Sequence, residues 1–377
     1  MTNNTNSVVI SGTGLWTPEH SISNEELVSA YNGFAEKFNR ENATQIQSGE
    51  LAAKPLSSAE FITKASGIEN RYVYRKEGIL NIDRMRPYIE PRSNEELSHQ
   101  AEMAKKAALK ALEAANKKSE DVDAVIVACS YTQRSYPAIA IEVQNELGIQ
   151  GVGFDMLVAC SAATFALQRA YEMITAGTAG CVLVINPELT SPQNNWRDRD
   201  SHFIFGDVAT ATILETASSC NSEHSYEVLS CKAVTQFSNN IRSNFGYLSY
   251  AEDSDPFGAD KFFIQNGRKV FKEVCPMAAE HITQQLQGLE IENTQVKRWW
   301  LHQANINMNL LIGKKLLGRN ASAEEAPIVL DQYANTASAG SLIAFNLNHK
   351  DMQSGDTGVL CSFGAGYSIG SLVLRKR

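Results

Sequence analysis

Three segments of the sequence recur in the same order in its second half, and this repeat constrains the fold more than any other feature. DVDAVIVACSYT (121–132) resembles TQVKRWWLHQAN (294–305), GFDMLVACSAATFAL (153–167) resembles PIVLDQYANTASAGSLIAF (327–345), and GTAGCVLVINPE (177–188) resembles GDTGVLCSFGAG (355–366). The first pair is an apolar strand ending at a polar turn. The second is a strand, a polar residue and then small residues opening a helix. The landmark spacing agrees, 31 residues from Cys129 to Cys160 and 33 from His302 to Asn335. Duplication of one strand–helix–strand unit explains this order. The expectation is two like halves, 1–215 and 216–377, packed about a pseudo-two-fold axis. Ligands in open α/β sheets gather outside the carboxyl ends of strands. Cys160, His302 and Asn335 each stand at such an end and are expected to be neighbours, with Asn335 holding in the second half the place of Cys160 in the first.

Apolar runs alternate with helical patterns through most of the chain, which predicts an α/β fold. Capping boxes at Ser23–Glu26 and Ser93–Glu96 mark helix starts. Leu97–Ala115 is alanine-rich with helical spacing, and Val125–Ala128 is apolar on both faces, as a central parallel strand should be. Residues 31–58 and 75–94 are polar and irregular, read as insertions or lids. No run reaches the roughly 20 apolar residues of a membrane span. MTNNTNSVVISG lacks the features of a secretory leader. The seven cysteines show no CxxC spacing and read as reduced thiols of a cytoplasmic protein. A net charge of −8 excludes a nucleic-acid binder that works by bulk charge. HExxH, P-loop, GxSxG and EF-hand patterns are missing, and no metal is expected.

Cys160 follows Phe154, Met156, Leu157, Val158 and Ala159, read as a buried strand, and opens the helix-like run from Ala162 to Ala176. A thiol at a helix amino terminus meets unpaired N–H groups and the positive dipole end, both favouring the nucleophilic thiolate. Free cysteine also packs as a small hydrophobe, and Cys129, Cys181, Cys220, Cys231, Cys275 and Cys361 are read in that way. His302 opens the polar turn HQAN after Trp299-Trp300-Leu301. Asn335 by itself reads as a helix cap; the repeat raises it to a site residue. The glycine-rich FGAGYSIG (363–370) precedes a strand and lacks GxGxxG spacing. That disfavours a dinucleotide site and suits backbone N–H groups brought close to a reacting carbonyl.

Cys160 in ACSA, HQAN at 302–305, ANTASAGS at 334–341, FGDVATATIL at 205–214 and the terminal FGAGYSIGS together resemble the β-ketoacyl-acyl-carrier-protein synthase III family of thiolase-like condensing enzymes, in order along nearly the whole chain. The resemblance implies a five-layered αβαβα thiolase fold, a homodimer, and no cofactor beyond thioester substrates. It implies that Cys160 takes an acyl group from acyl-CoA, with the backbone N–H groups of Cys160 and Ala365 holding the oxyanion. His302 and Asn335 would then stabilise the enolate from malonyl-acyl-carrier protein as carbon dioxide leaves. It places Phe61, Ser66, Tyr136, Arg199 and Phe363 against the substrate, Tyr136 as the aromatic group that reaches the partner subunit's pocket. Phe61 replaces the family's adenine-stacking tryptophan and Ala65 an arginine, while Arg199 matches a second adenine-contacting arginine. Lys272, Lys314 and Lys315 match basic carrier-docking positions, with Arg268 and Lys269 beside them.

A second histidine in place of Asn335 would indicate an elongating synthase, and a second cysteine in the terminal loop a thiolase. Cys361 stands one residue before the matching Ser362 and is expected to point away. A glutamate near the nucleophile, as in hydroxymethylglutaryl-CoA synthases, is not evident. The insertions favour a primer longer than acetyl. The rival readings are an acyltransferase or thioesterase of a secondary-metabolite pathway using the same acyl-cysteine, and a silent acyl-binding scaffold subunit.

Overall fold

The computed structural model describes residues 7–377; residues 1–6, the start of the stretch read for a leader, lie outside the described residues. The main elements of the first half are β1 (Val8–Trp16), α1 (Asn24–Glu41), α2 (Ala59–Ser66), α3 (His99–Ala115), β2 (Ala124–Cys129), α4 (Ile139–Leu147), β3 (Val152–Leu157), α5 (Ala162–Thr175), β4 (Cys181–Glu188) and β5 (Val208–Thr216). The second half supplies β6 (Tyr226–Ser238), α6 (Gly267–Gln287), β7 (Val296–Leu301), α7 (Ile306–Leu317), α8 (Gly340–Leu347), β8 (Thr357–Gly364) and β9 (Gly366–Lys376). Nine strands form one sheet in the order β7-β8-β9-β6-β1-β5-β4-β2-β3. Among the described residues its two halves join through Val9–Glu227 and Ile10–Tyr226.

Pairing repeats across that seam. β2 is parallel to β4, which is antiparallel to β5, which is antiparallel to β1. β7 is parallel to β8, which is antiparallel to β9, which is antiparallel to β6. Five layers result. Helices α3 and α4 cover one face of the first-half strands, α5 and α8 fill the middle between both halves, and α6 and α7 cover the second-half strands. Strand β2 illustrates why the run is apolar throughout. Ala124, Ile126 and Ala128 face the middle layer, and Val125, Val127 and Cys129 face the outer helices. The alanines of α3 let it lie directly on β1, where a Cβ at Gly14 would meet the Ala107 carbonyl oxygen at 2.1 Å.

Several expectations are corrected. β3 is not a buried strand. It is the sheet edge, with Val152 and Leu157 each 56% exposed. It has no second-half counterpart, because residues 327–329 are irregular and Leu330–Tyr333 is a short helix. The Ser23–Glu26 capping box is present. Ser93–Glu96 instead closes a turn, and α3 starts five residues later on the side chain of Ser98. Residues 31–41 extend α1, burying Tyr31 and Ala35, so that stretch is helical rather than irregular. Residues 75–94 contain neither helix nor strand, and buried Ile79 and Met85 pin them to the body.

Candidate active site

Cys160 lies in a single 3₁₀ turn, Ala159–Ser161, between β3 and α5, and is 9% exposed. Ala159 takes a positive φ of 44° to make the turn, a conformation costly for a residue with a side chain. The β8–β9 hairpin closes over it. A Cβ on Gly364 would stand 2.5 Å from Cys160 Cβ and 3.1 Å from its Sγ, so only glycine fits there. The backbone N–H groups of Ala365 and of Cys160 itself face the sulfur. Ser161 ties turn to hairpin, its Oγ donating to the Ser368 carbonyl at 3.0 Å, and within the hairpin Ser368 Oγ donates to the Ala365 carbonyl at 2.8 Å.

The helix start does not produce a resting thiolate. Burial first, and the Glu188 carboxylate second, push the Cys160 thiol up to about 12, against the pull of the two N–H groups. Desolvation of a charged sulfur outweighs the favourable end of α5.

His302 leaves β7 with its N–H donating to the Cys361 carbonyl at 2.8 Å and its ring edge-on to Phe363, centroids 5.2 Å apart. Burial pushes it down to about 4, so it is a neutral imidazole at pH 7. Its Nδ1 is buried without a partner, leaving Nε2 as the ring nitrogen free to meet a ligand. Phe363 is 1% exposed and lies in the core beside this ring, orienting His302 instead of lining a substrate channel. Cys361 packs in that same core, while Ser362 meets Thr164 on α5 at 3.2 Å; the two face opposite ways, as the strand period requires.

Asn335 is held by its backbone in a bridge to Phe205: its N–H donates to the Ile204 carbonyl at 2.9 Å, and its carbonyl accepts from Gly206 N–H at 3.1 Å. Its Oδ1 accepts from Ala337 N–H at 2.9 Å, which fixes the amide orientation and leaves Nδ2 without a partner among the described residues. Asn335 does not occupy the place of Cys160. The match falls three residues later. Ala337 has φ 46° and opens the 3₁₀ turn Ala337–Ala339 before α8, just as Ala159 opens the turn before α5. Ser338 is therefore the counterpart of Cys160.

A glutamate near Cys160, not evident in the sequence, is present. Glu188 ends β4 with no exposure; burial pushes its carboxyl up, against the pull of the Ser130 and Ser338 donors, and it adds to the upward push on the Cys160 thiol. Both its oxygens are occupied by Ser130 and Ser338. The signal available in the sequence was a lone charge closing the apolar run CVLVINPE.

The remaining positions divide. Arg199 lies 3.7 Å over the Phe61 ring and donates Nε to the Leu56 carbonyl at 2.7 Å, so the two side chains stack directly on each other. Ser66 is buried and spends its hydroxyl on the end of α2, donating to Ile62 O at 2.7 Å and accepting from Ile68 N–H at 3.1 Å. Contrary to expectation it has no surface for substrate. The Ala65 carbonyl anchors Asn305 Nδ2 at 2.8 Å, tying the HQAN turn to α2. Tyr136 is 78% exposed. Arg268, Lys269 and Lys272 on α6 and Lys314 and Lys315 on the neighbouring α7 are all exposed, and none has an ion-pair partner among the described residues.

Comparisons agree with this architecture. The family model described as 3-oxoacyl-[acyl-carrier-protein] synthase III matches residues 154–236, and that of its C-terminal domain matches residues 286–376. The chain is 56% identical, over 349 residues, to a β-ketodecanoyl-[acyl-carrier-protein] synthase of Pseudomonas aeruginosa, covering 93% of this chain and all of that one. It is 29% identical to a β-ketoacyl-[acyl-carrier-protein] synthase III of Granulibacter bethesdensis, covering 88% and 95%. The crystal structure of 3-oxoacyl-[acyl-carrier-protein] synthase III from Aquifex aeolicus superposes with a TM-score of 0.75 at 24% identity over 98% of this chain and 99% of that one.

Proposed function

The chain belongs to the 3-oxoacyl-[acyl-carrier-protein] synthase III family, and from that premise we propose that Cys160, His302 and Asn335 carry out its condensation. As a member it is a condensing acyltransferase of fatty acid biosynthesis with the thiolase-like fold. The observation that carries the site assignment is the closure of the β8–β9 hairpin on Cys160, with the Ala365 N–H aimed at the sulfur.

Cys160 Sγ attacks the carbonyl carbon of an acyl thioester. The N–H groups of Cys160 and Ala365 stabilise the oxyanion, and the departing thiolate leaves with the proton that the cysteine gives up. Malonyl-acyl-carrier protein then enters. Its carboxylate departs as carbon dioxide, and the electron pair left behind forms an enolate. His302 Nε2–H and Asn335 Nδ2–H donate to the enolate oxygen, the only charge the step must hold, so fixed neutral donors suffice. The enolate carbon attacks the acyl-cysteine, the C–S bond breaks, and Cys160 is released.

The Pseudomonas aeruginosa relative's name specifies a ten-carbon β-ketoacyl product. Malonyl contributes two of those carbons, so an octanoyl primer is proposed here too. Residues 31–58 and 75–94, beyond the compact family pattern, support a primer longer than acetyl. The direct Arg199–Phe61 stack supports a coenzyme A adenine end that must open this pair or bind beside it.

The unpaired cations of α6 and α7 support docking of the acidic carrier protein. The exposed β3 edge and exposed Tyr136 support a homodimer in which strand pairing hides the edge and carries Tyr136 to the partner. Among the described residues no helix is long and apolar enough to cross a membrane, which fits a cytoplasmic location. No cofactor beyond the thioester substrates is proposed. An acyl-CoA chain-length series read by intact-protein mass spectrometry, followed by malonyl-acyl-carrier protein and a carbon dioxide assay, tests the reading. Acylation without carbon dioxide release would favour acyl transfer or hydrolysis.

A further inference from the structure

The pseudo-two-fold axis generates a second constellation beside the first. β2 and β7, β4 and β8, and α5 and α8 are equivalent by their pairing and layer. Ser130, the residue after β2, therefore corresponds to His302, the residue after β7. Ser338 corresponds to Cys160, and Glu188, the last residue of β4, to Gly364, the last of β8. Where the reacting set has cysteine, histidine and glycine, the mirrored set has serine, serine and glutamate.

The mirrored set is fully hydrogen-bonded. Ser130 N–H lies 3.1 Å from each Glu188 oxygen, and Ser130 Oγ donates to Oε2 at 2.6 Å. Ser338 N–H donates to Oε1 at 3.1 Å, and Ser338 Oγ donates to the same oxygen. Two backbone and two hydroxyl donors converge on one carboxylate with no exposure. An acceptor so occupied has no lone pair free to take a substrate proton, so this is not a general base.

One half of these bonds acts on the reaction site. Ser338 follows Ala337, whose N–H is the group that orients the Asn335 amide. Both Ala334 and Ala337 hold positive φ, 56° and 46°, so the turn from 334 to 338 is strained and needs an external hold. Glu188, from the other half of the molecule, supplies it at Ser338.

We propose that Glu188 is a positioning residue for the decarboxylation step, clamping the Ser338 turn so that Asn335 presents Nδ2 to the enolate oxygen. The inference rests on the proposed role of Asn335. Acylation of Cys160 uses the Ala365 side of the site and does not require the clamp. The two half-reactions should therefore move apart, which general damage to the fold would not produce.

The test uses the full chain with octanoyl-CoA and malonyl-acyl-carrier protein. Octanoylation of Cys160 is timed by intact mass. Carbon dioxide release is then timed in a single turnover from the octanoylated enzyme. For Glu188→Gln and, independently, Ser338→Ala, the expectation is octanoylation no slower than about half the wild-type rate and carbon dioxide release slowed about 10- to 100-fold, the scale of a small misplacement of a reacting group. Ser338→Ala deletes only a hydroxyl, so it serves if Glu188→Gln does not fold. Unchanged carbon dioxide release in a folded variant, or equal slowing of both steps, would overturn the clamp. Wild-type octanoyl-enzyme that releases no carbon dioxide, beside normal octanoylation, would overturn the condensation reading and the clamp with it.

Discussion

At Cys160 the chemistry is decided by what touches the sulfur. Gly364 leaves no room for a methyl group, so Gly364→Ala should lower octanoylation at least 100-fold while the protein still folds, read by intact mass beside a melting curve. Because burial holds His302 near 4, the neutral donor persists well below the ordinary histidine pKa. Carbon dioxide release from the acyl-enzyme should therefore be flat from pH 7.5 to 5.5 and fall only as His302 protonates toward about pH 4; an acid limb centred near 6.5 would contradict it. Cys160 and His302 stood out because each follows an apolar run, and Asn335 because of the repeat, which set it three residues out of register. Glu188 and Ser338 did not. Their partnership depends on a three-residue register set by positive φ at Ala159 and Ala337, and alanine gives no sign of a conformation usually marked by glycine.

Elements show the same division between local and long-range information. The start of α1 was readable from its capping box, and Ser23→Ala should cost about 1 kcal/mol in denaturant unfolding. The same pattern at Ser93–Glu96 makes only a turn, because burial of the α3 alanines against β1 sets where that helix begins. β3 read as buried because its residues are apolar. Its true place at the edge depends on how many strands the sheet has, which no local pattern records. The proposed homodimer through that edge predicts that Val152→Lys, a charge placed on it, shifts the protein from dimer to monomer in sedimentation velocity. On α6 and α7, Lys272→Glu with Lys314→Glu should raise KM for malonyl-acyl-carrier protein about tenfold and leave octanoylation by octanoyl-CoA unchanged.

For the whole molecule, duplication supplies both the scaffold and the asymmetry that function needs. The two halves share pairing sense, and the turns 159–161 and 337–339 that open α5 and α8 pack against each other. One set keeps the Cys160 thiol under an N–H pair, and the other is tied off by the buried Glu188 carboxyl. The repeat made the pairing of the two turns readable, three residues out of register. The primer was less so, because the proposal of a longer chain rests on residues 31–58 and 75–94, which carry no motif. The most direct measurement is product mass after wild-type enzyme and Cys160→Ala are each given octanoyl-CoA and malonyl-acyl-carrier protein. The account predicts an octanoyl adduct on Cys160 that gives way to β-ketodecanoyl-acyl-carrier protein and carbon dioxide, both lost in Cys160→Ala. Acetylation of Cys160 by acetyl-CoA with no octanoyl adduct, or product formed by Cys160→Ala at the wild-type rate, would contradict it.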